Sequence, residues 1–261
     1  MGLTMTDQLL IQRNGSVLEL TMNRPDKKNA LTLAMYNQLS QALQSADSDP
    51  EVRVILLTGA GDCFSAGNDI ADFIAALDRP DAVQGPLTFL QAISNLNTPV
   101  IAAVPGIAIG IGTTMLLHCD LVIASEQARF QLPFARLGLV PEGGSSYLIP
   151  QLLGHRRAFE LLVMGEQFDA ATARELGVIN RVVEHQNLLD IARKQAGKLA
   201  ALAPDAVRQS KAMLRSHQMA ELQQVLVAEV EQFAARLKSP EAMEALQAFM
   251  EKREPDFSRF N

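Results

Sequence analysis

Four short apolar runs constrain this chain more than any other feature: VRVILLTG (52–59), VIAAVPG (100–106), DLVIAS (120–125) and VINRVV (178–183). A strand with one wet face alternates apolar and polar side chains, whereas a strand buried on both faces does not. The runs therefore predict central strands of a covered sheet, and the first two close on glycines that open into loops. Helical stretches such as RAFELLVM (157–164) and AATAREL (170–176) stand between the later runs, and that order predicts α/β layering.

The flanking segments fit the same plan. LLIQR and VLELTM surround Asn14-Gly15, a pair that tolerates positive φ and predicts a hairpin. A helix is predicted from a cap at Thr32 through LAMYNQLSQALQSA. From Leu188 onward LLDIARKQAGKLAALA, AELQQVLVAEVEQFAARL and PEAMEALQAFMEKR read as amphipathic helices. DRPDAVQGP (78–86) is the most linker-like piece, yet too short to separate domains. The expectation is one domain over 1–261, with a layered core over about 1–187 and a helical region over about 188–261.

Several function classes drop out. A net charge of −6 disfavours nucleic acid or an anionic membrane as the main partner. No run reaches the roughly 18 apolar residues of a membrane span, and the amino terminus lacks a secretory pattern. Cys63 and Cys119 then read as free thiols in a reducing compartment, and a cytoplasmic location is expected. The final Arg259, Phe260 and Asn261 are not a peroxisomal address. GIAIGIG (106–112) lacks the third glycine and the later acid of a dinucleotide fingerprint, and no G-x-S-x-G elbow exists. His118, His155, His185 and His217 are scattered without metal-ligand spacing, so no metal is expected.

Two glycine-bearing stretches carry the positive signal. FSAGNDI (64–70) follows one predicted strand and PGIAIGIGTTMLLHCD (105–120) overlaps the next. Small residues let the backbone approach a ligand closely, and each stretch runs into a helix whose first amides are unpaired. Two such donors converging on one oxygen make an oxyanion hole.

Seven landmarks now stand in order: NRPDKKNAL (23–31), FSAGNDI, VIAAVPGIAIG, CDLVIAS, FARLGLVPEGG (134–144), GVINRVV and AFMEKREPDFS (248–258). Together they resemble the enoyl-CoA hydratase/isomerase (crotonase) superfamily. The resemblance implies an α/β spiral of ββα units, a helical carboxy-terminal region that packs into homotrimers or dimers of trimers, and an acyl-CoA thioester as ligand, with no cofactor beyond the coenzyme A of the substrate. It puts the oxyanion donors on the backbone amides of Asn68 and Ile111. The two glutamates of hydratases fall here on Thr114 and Phe134, neither of which can do their proton transfers. The acid that remains is Glu142. Its setting, PFARLGLVPEGGSSY, resembles the Δ3,Δ2-enoyl-CoA isomerases of the peroxisomal type, which implies a one-base proton shuttle in fatty-acid oxidation. Another crotonase reaction, or a non-catalytic acyl-CoA-binding scaffold, is the alternative.

Read from the residues alone, Glu142 also suits the first turn of a helix with Pro141 at its first position. Its pKa is pulled up by apolar neighbours such as Phe134, Leu139 and Val140 and down by any helix-start amides. For the remaining ligand contacts, Lys27 is the candidate for the CoA phosphates, although Arg24, Lys27 and Lys28 also read as a solvated cluster. The resemblance places Ala30 on the pantetheine and the backbone of Ala66, Asp69 and Ile70 at the adenine, with Gly67 and Gly110 in the same loops. Asp69 also reads as a helix cap. Phe249 and Lys252 resemble residues that reach a CoA site, often in a neighbouring subunit, and equally a core phenylalanine and a surface lysine. Phe73 and Ile74 face either the acyl chain or the core.

Overall fold

The computed structural model describes residues 4–6, 8–72 and 81–260. Asn14 and Gly15 turn the chain where the sequence predicts, joining β2 (Leu9–Asn14) to β3 (Val17–Met22) in an antiparallel pair with Asn14 opposite Val17. β1 (Thr4–Thr6) pairs antiparallel with β2. β3 is followed in the sheet by parallel neighbours β4 (Val54–Gly59), β5 (Val100–Val104), β7 (Leu121–Ser125) and β10 (Arg181–Val183), giving a mixed seven-stranded sheet of order β1-β2-β3-β4-β5-β7-β10.

The central strands are almost wholly apolar because both faces are covered, and the buried Thr58 hydroxyl of β4 is satisfied by the Ala103 carbonyl. Ile55, Leu57, Val100 and Ala102 enter one core with the helix Leu33–Ser48, while Val54, Leu56, Ile101 and Ala103 enter a second with Leu188, Ala192 and Ala196 of the helix Leu188–Ala200. Successive side chains point to opposite faces, so each strand feeds both cores. Each fully buried Leu or Ile contributes about 1.5–3 kcal/mol.

A second sheet of β6 (Ile107–Ile109), β8 (Arg129–Gln131) and β9 (Phe168–Asp169), in the order β6-β8-β9, stands beside the first. Short connections carry β5 into β6 and β7 into β8, and helical turns follow each; after β4 the lone bridge Ser65–Ala108 repeats the step. Strand, strand, helix is thus the repeating unit of the α/β spiral.

Thr32 caps the helix Leu33–Ser48, its side chain accepting from the Met35 amide at 3.2 Å. The linker-like 78–86 stretch differs from expectation: from Asp81 it is helical, within Asp81–Asn95 and with Pro86 inside. Phe89, Leu90 and Ile93 of this helix are fully buried, and that packing offsets the donor lost at the proline. The helices Pro204–Arg215, Met219–Leu237 and Pro240–Glu251 complete the carboxy-terminal region. Lys211 ties the first of them down by donating to Asp120 Oδ2 at 2.7 Å and to the Thr98 carbonyl at 2.9 Å. Among the described residues no helix is long and apolar enough to cross a membrane.

Candidate active site

The NRPDKKNAL segment lies along FSAGNDI as a strap. The Ala66 amide donates to the Lys28 carbonyl (2.9 Å), the Leu31 amide to Gly67 (2.8 Å) and the Asp69 amide to Leu31 (2.9 Å). Leu31 bonds the Gly67 carbonyl and the Asp69 amide on either side of Asn68, as in a parallel bridge, and this turns the Asn68 amide away from the strap. It has no protein acceptor among the described residues. Arg24 reinforces the strap by donating to the Ala30 carbonyl (2.6 Å) and pairing with Asp69 (2.9 Å).

The second loop leaves β6 through Gly110, whose φ is +55°. Thr113 and Thr114 both donate to the Gly110 carbonyl, whereas the Ile111 amide opens the short helix Ile111–Thr114 and has no acceptor among the described residues. The two loops touch at Gly112: a Cβ there would stand 2.5 Å from the Ser65 carbonyl oxygen. Only glycine permits that approach.

Glu142 does not sit in a helix. Gly143 and Gly144 follow it with φ of +71° and +74°, and the helix begins at Ser145. The free amides at that helix start go elsewhere: Gly144 and Ser146 donate to the Glu229 carboxylate at 2.6 and 2.9 Å. The depressing influence expected of helix-start amides is thereby spent on Glu229. Burial dominates instead, and with only 7% of its surface exposed Glu142 has its pKa pushed up to about 8. The Thr114 hydroxyl, donating to Oε1 at 2.7 Å, opposes that rise, and the nearby Glu229 charge adds to it. Thr114 thus occupies one carboxyl oxygen, and Oε2 has no protein partner among the described residues. Burial also holds His118 neutral, its pKa lowered to about 4, so its Nε2–H donates to the Gly143 carbonyl at 2.8 Å.

These elements line a cleft with a cavity volume of about 110 Å³. Of the residues singled out from sequence, Ala66, Gly67, Asn68, Ile70, Gly110, Ile111 and Glu142 line it, as do Phe134 and Leu139; Val140 is partly buried beside it. Ala30 and Asp69 belong to the strap and its anchor. Asp69 Oδ1 accepts from the Asp72 amide, as a cap does, but most of the helix read from DIADFIAAL lies outside the described residues, with Phe73 and Ile74. Lys27 is exposed in the turn Pro25–Lys27, and Phe249 and Lys252 are exposed at the end of the last long helix and are not among the residues lining the cleft of their own chain. Sequence reasoning missed Phe233, Leu237 and Leu246, which close the cleft from the carboxy-terminal helices. Their helical spacing looks the same as that of an ordinary core stripe. Glu229 was more legible: it stands on the buried face marked by Leu222, Leu226, Phe233 and Leu237, where an acid demands a partner.

Glu142 is the one ionisable side chain among the described residues of this apolar lining, and the two unused amides stand on the same cleft. Such a site belongs to the class of α/β enzymes that stabilise an oxyanion formed from a carbonyl while a carboxylate moves a proton. Comparison with known proteins narrows the class. Residues 12–259 match the model of the family described as enoyl-CoA hydratase/isomerase. A carnitinyl-CoA dehydratase of Salmonella arizonae is 37% identical over 97% of this chain and 99% of its own. Among solved structures, an enoyl-CoA hydratase/isomerase from Pseudoalteromonas atlantica superposes with a TM-score of 0.90 at 44% identity, covering 96% of this chain and 99% of that one. OdaA of Pseudomonas aeruginosa does so with 0.89 at 44% identity, covering 94% and 99%. The chain belongs to the enoyl-CoA hydratase/isomerase family, and its chemistry is a crotonase-type reaction on an acyl-CoA.

Proposed function

We propose that this enzyme is a Δ3,Δ2-enoyl-CoA isomerase acting in fatty-acid oxidation. One observation carries the reading: among the described residues the cleft has a single carboxyl group, one oxygen held by Thr114 and the other without a protein partner, beside two unused backbone amides. An allylic shift needs no more than that. Glu142 Oε2 takes a proton from C2, the C3–C4 double bond becomes conjugated in a dienolate, and the negative charge moves onto the thioester oxygen between the Asn68 and Ile111 amides. The same acid then delivers its proton to C4, leaving the double bond between C2 and C3. No atom is lost or gained overall and no separate cofactor is drawn on. Each oxyanion donor is worth about 2.7–4 kcal/mol of barrier in comparable sites. The coenzyme A and substrate contacts we assign are Lys27 and Ala30, the loop residues Ala66, Gly67, Asp69, Ile70 and Gly110, and Phe249 and Lys252 of a neighbouring subunit.

The name of the Salmonella relative favours a second reading, in which water is removed or added. Against it, Thr114 and Phe134 occupy the positions that the hydratase resemblance gives to two glutamates. Three incubations separate the readings: 3-hexenoyl-CoA, 2-hexenoyl-CoA in water, and carnitinyl-CoA. Conjugated enoyl thioester from the first is the expected result; a hydroxyacyl product or dehydration without any double-bond shift overturns it, and inertness towards all three points to a scaffold.

The proposal includes a homotrimer or dimer of trimers. In its support, Met213 and Leu214 on the helix Pro204–Arg215 are 73% and 83% exposed, an apolar surface that a monomer leaves in water. Light scattering should return three or six times the chain mass of 28.4 kDa.

A further inference from the structure

Tyr36 is fully buried on the helix Leu33–Ser48, its ring tilted against Phe89 at 5.6 Å, and its hydroxyl donates to Asn68 Oδ1. Asn68 is the residue whose backbone amide faces the cleft. A small pocket of about 20 Å³, lined by Tyr36, Asn68 and Glu142 with Leu90, Val230 and Phe233, adjoins the first, so the phenol shares its surroundings with both the oxyanion loop and the base. Burial and the charge of Glu142 both keep it protonated, and hence a donor.

The Asn68 amide needs such a hold because it follows Gly67, whose φ of +98° marks the most permissive joint of the loop. The Leu31 amide holds one end of the Gly67–Asn68 peptide through the Gly67 carbonyl. Leu31 directly precedes the cap of the helix that carries Tyr36, so the strap and the phenol grip Asn68 from one rigid element. We propose that Tyr36 is a positioning residue for the oxyanion site: its hydroxyl clamps the Asn68 side chain and so fixes the direction of the Asn68 backbone N–H. This rests on the acyl-CoA reading above, but not on which reaction follows enolate formation.

The test uses acetoacetyl-CoA, whose bound enolate is seen by its ultraviolet absorbance. Tyr36→Phe keeps the ring and removes the hydroxyl. Enolate affinity should fall about tenfold, the worth of one hydrogen bond to a polarised partner, while affinity for free coenzyme A stays within about twofold. Asn68→Ala keeps the backbone amide and should show the same loss, and the double variant should lose no more than Asn68→Ala alone. If Tyr36→Phe does not fold, Asn68→Ala carries the measurement. Wild-type enolate affinity in the variants, a parallel loss of coenzyme A affinity, or no enolate on the wild-type enzyme overturns the proposal. An enolate loss in an enzyme that fails to isomerise 3-hexenoyl-CoA would instead refute the isomerase reading and leave the role of Tyr36 standing.

Discussion

Glu142→Gln is expected to lower kcat for 3-hexenoyl-CoA by about 10³-fold or more, the upper end of the range for loss of a general base, with little change in coenzyme A affinity. The isostere can still meet the Thr114 hydroxyl, so the loss reports on the proton and not on packing. Activity retained in this variant would put the base elsewhere. The same substitution has a second consequence through protonation. A carboxyl raised from 4.5 to about 8 by burial holds its proton more tightly in the folded state than in the unfolded chain. Its stabilising effect is complete below about pH 4.5, declines as pH rises and is gone above about 8. Glutamine has no proton to lose. The variant should therefore match the wild type in Tm near pH 4.5 and exceed it by at least about 4 °C at pH 9, since a few kcal/mol are at stake. Equal melting temperatures at both values would show that the carboxyl is solvated, contrary to its 7% exposure. The wild-type kcat/KM should rise with pH to a midpoint near 8, because only the ionised acid can accept a proton.

Gly112→Ala is expected to damage catalysis and stability together. The added methyl would lie 2.5 Å from the Ser65 carbonyl oxygen, which already accepts from the Ile109 amide at 2.9 Å. Neither partner is a flexible side-chain tip, so the loops must move apart. Because Ser65 precedes the Ala66–Asn68 segment and Gly112 follows Ile111, that movement separates the two amides proposed to meet on one oxygen. A loss of one donor predicts a kcat decrease of about 10²-fold or more, and overpacking predicts a stability loss of about 1–3 kcal/mol. Steady-state kinetics beside thermal melting reads both. Unchanged kcat in a folded variant would mean that the amides do not act as a pair.

The hairpin at Asn14-Gly15, the cap at Thr32 and three buried strands, β4, β5 and β7, were legible because each is set by neighbours a few residues apart or by an uninterrupted apolar run. VINRVV reads as a fourth, but its strand β10 lies at the edge of the sheet with Arg181 exposed, because the sheet ends there. The paired loops were legible for a related reason: small residues after a buried strand mark where backbone must come close to something. The setting of Glu142 was not. Whether a carboxyl after Pro141 begins a helix or precedes one depends on Gly143 and Gly144 adopting positive φ, and on Glu229, far along the chain, taking the amides that would otherwise have served it.

Local pattern thus carried the layering of the fold and the places where its loops open, since these follow from side-chain period and glycine placement, while the resemblance carried by the seven landmarks singled out Glu142 as the acid. The state of that acid came from contacts remote in the chain: Thr114 on one oxygen, Glu229 on the adjoining amides, and Phe233, Leu237 and Leu246 closing the cleft around it. Desolvation and the direction of a hydrogen bond are properties of assembled surroundings, and no stretch of chain holds them until its distant partners have packed against it.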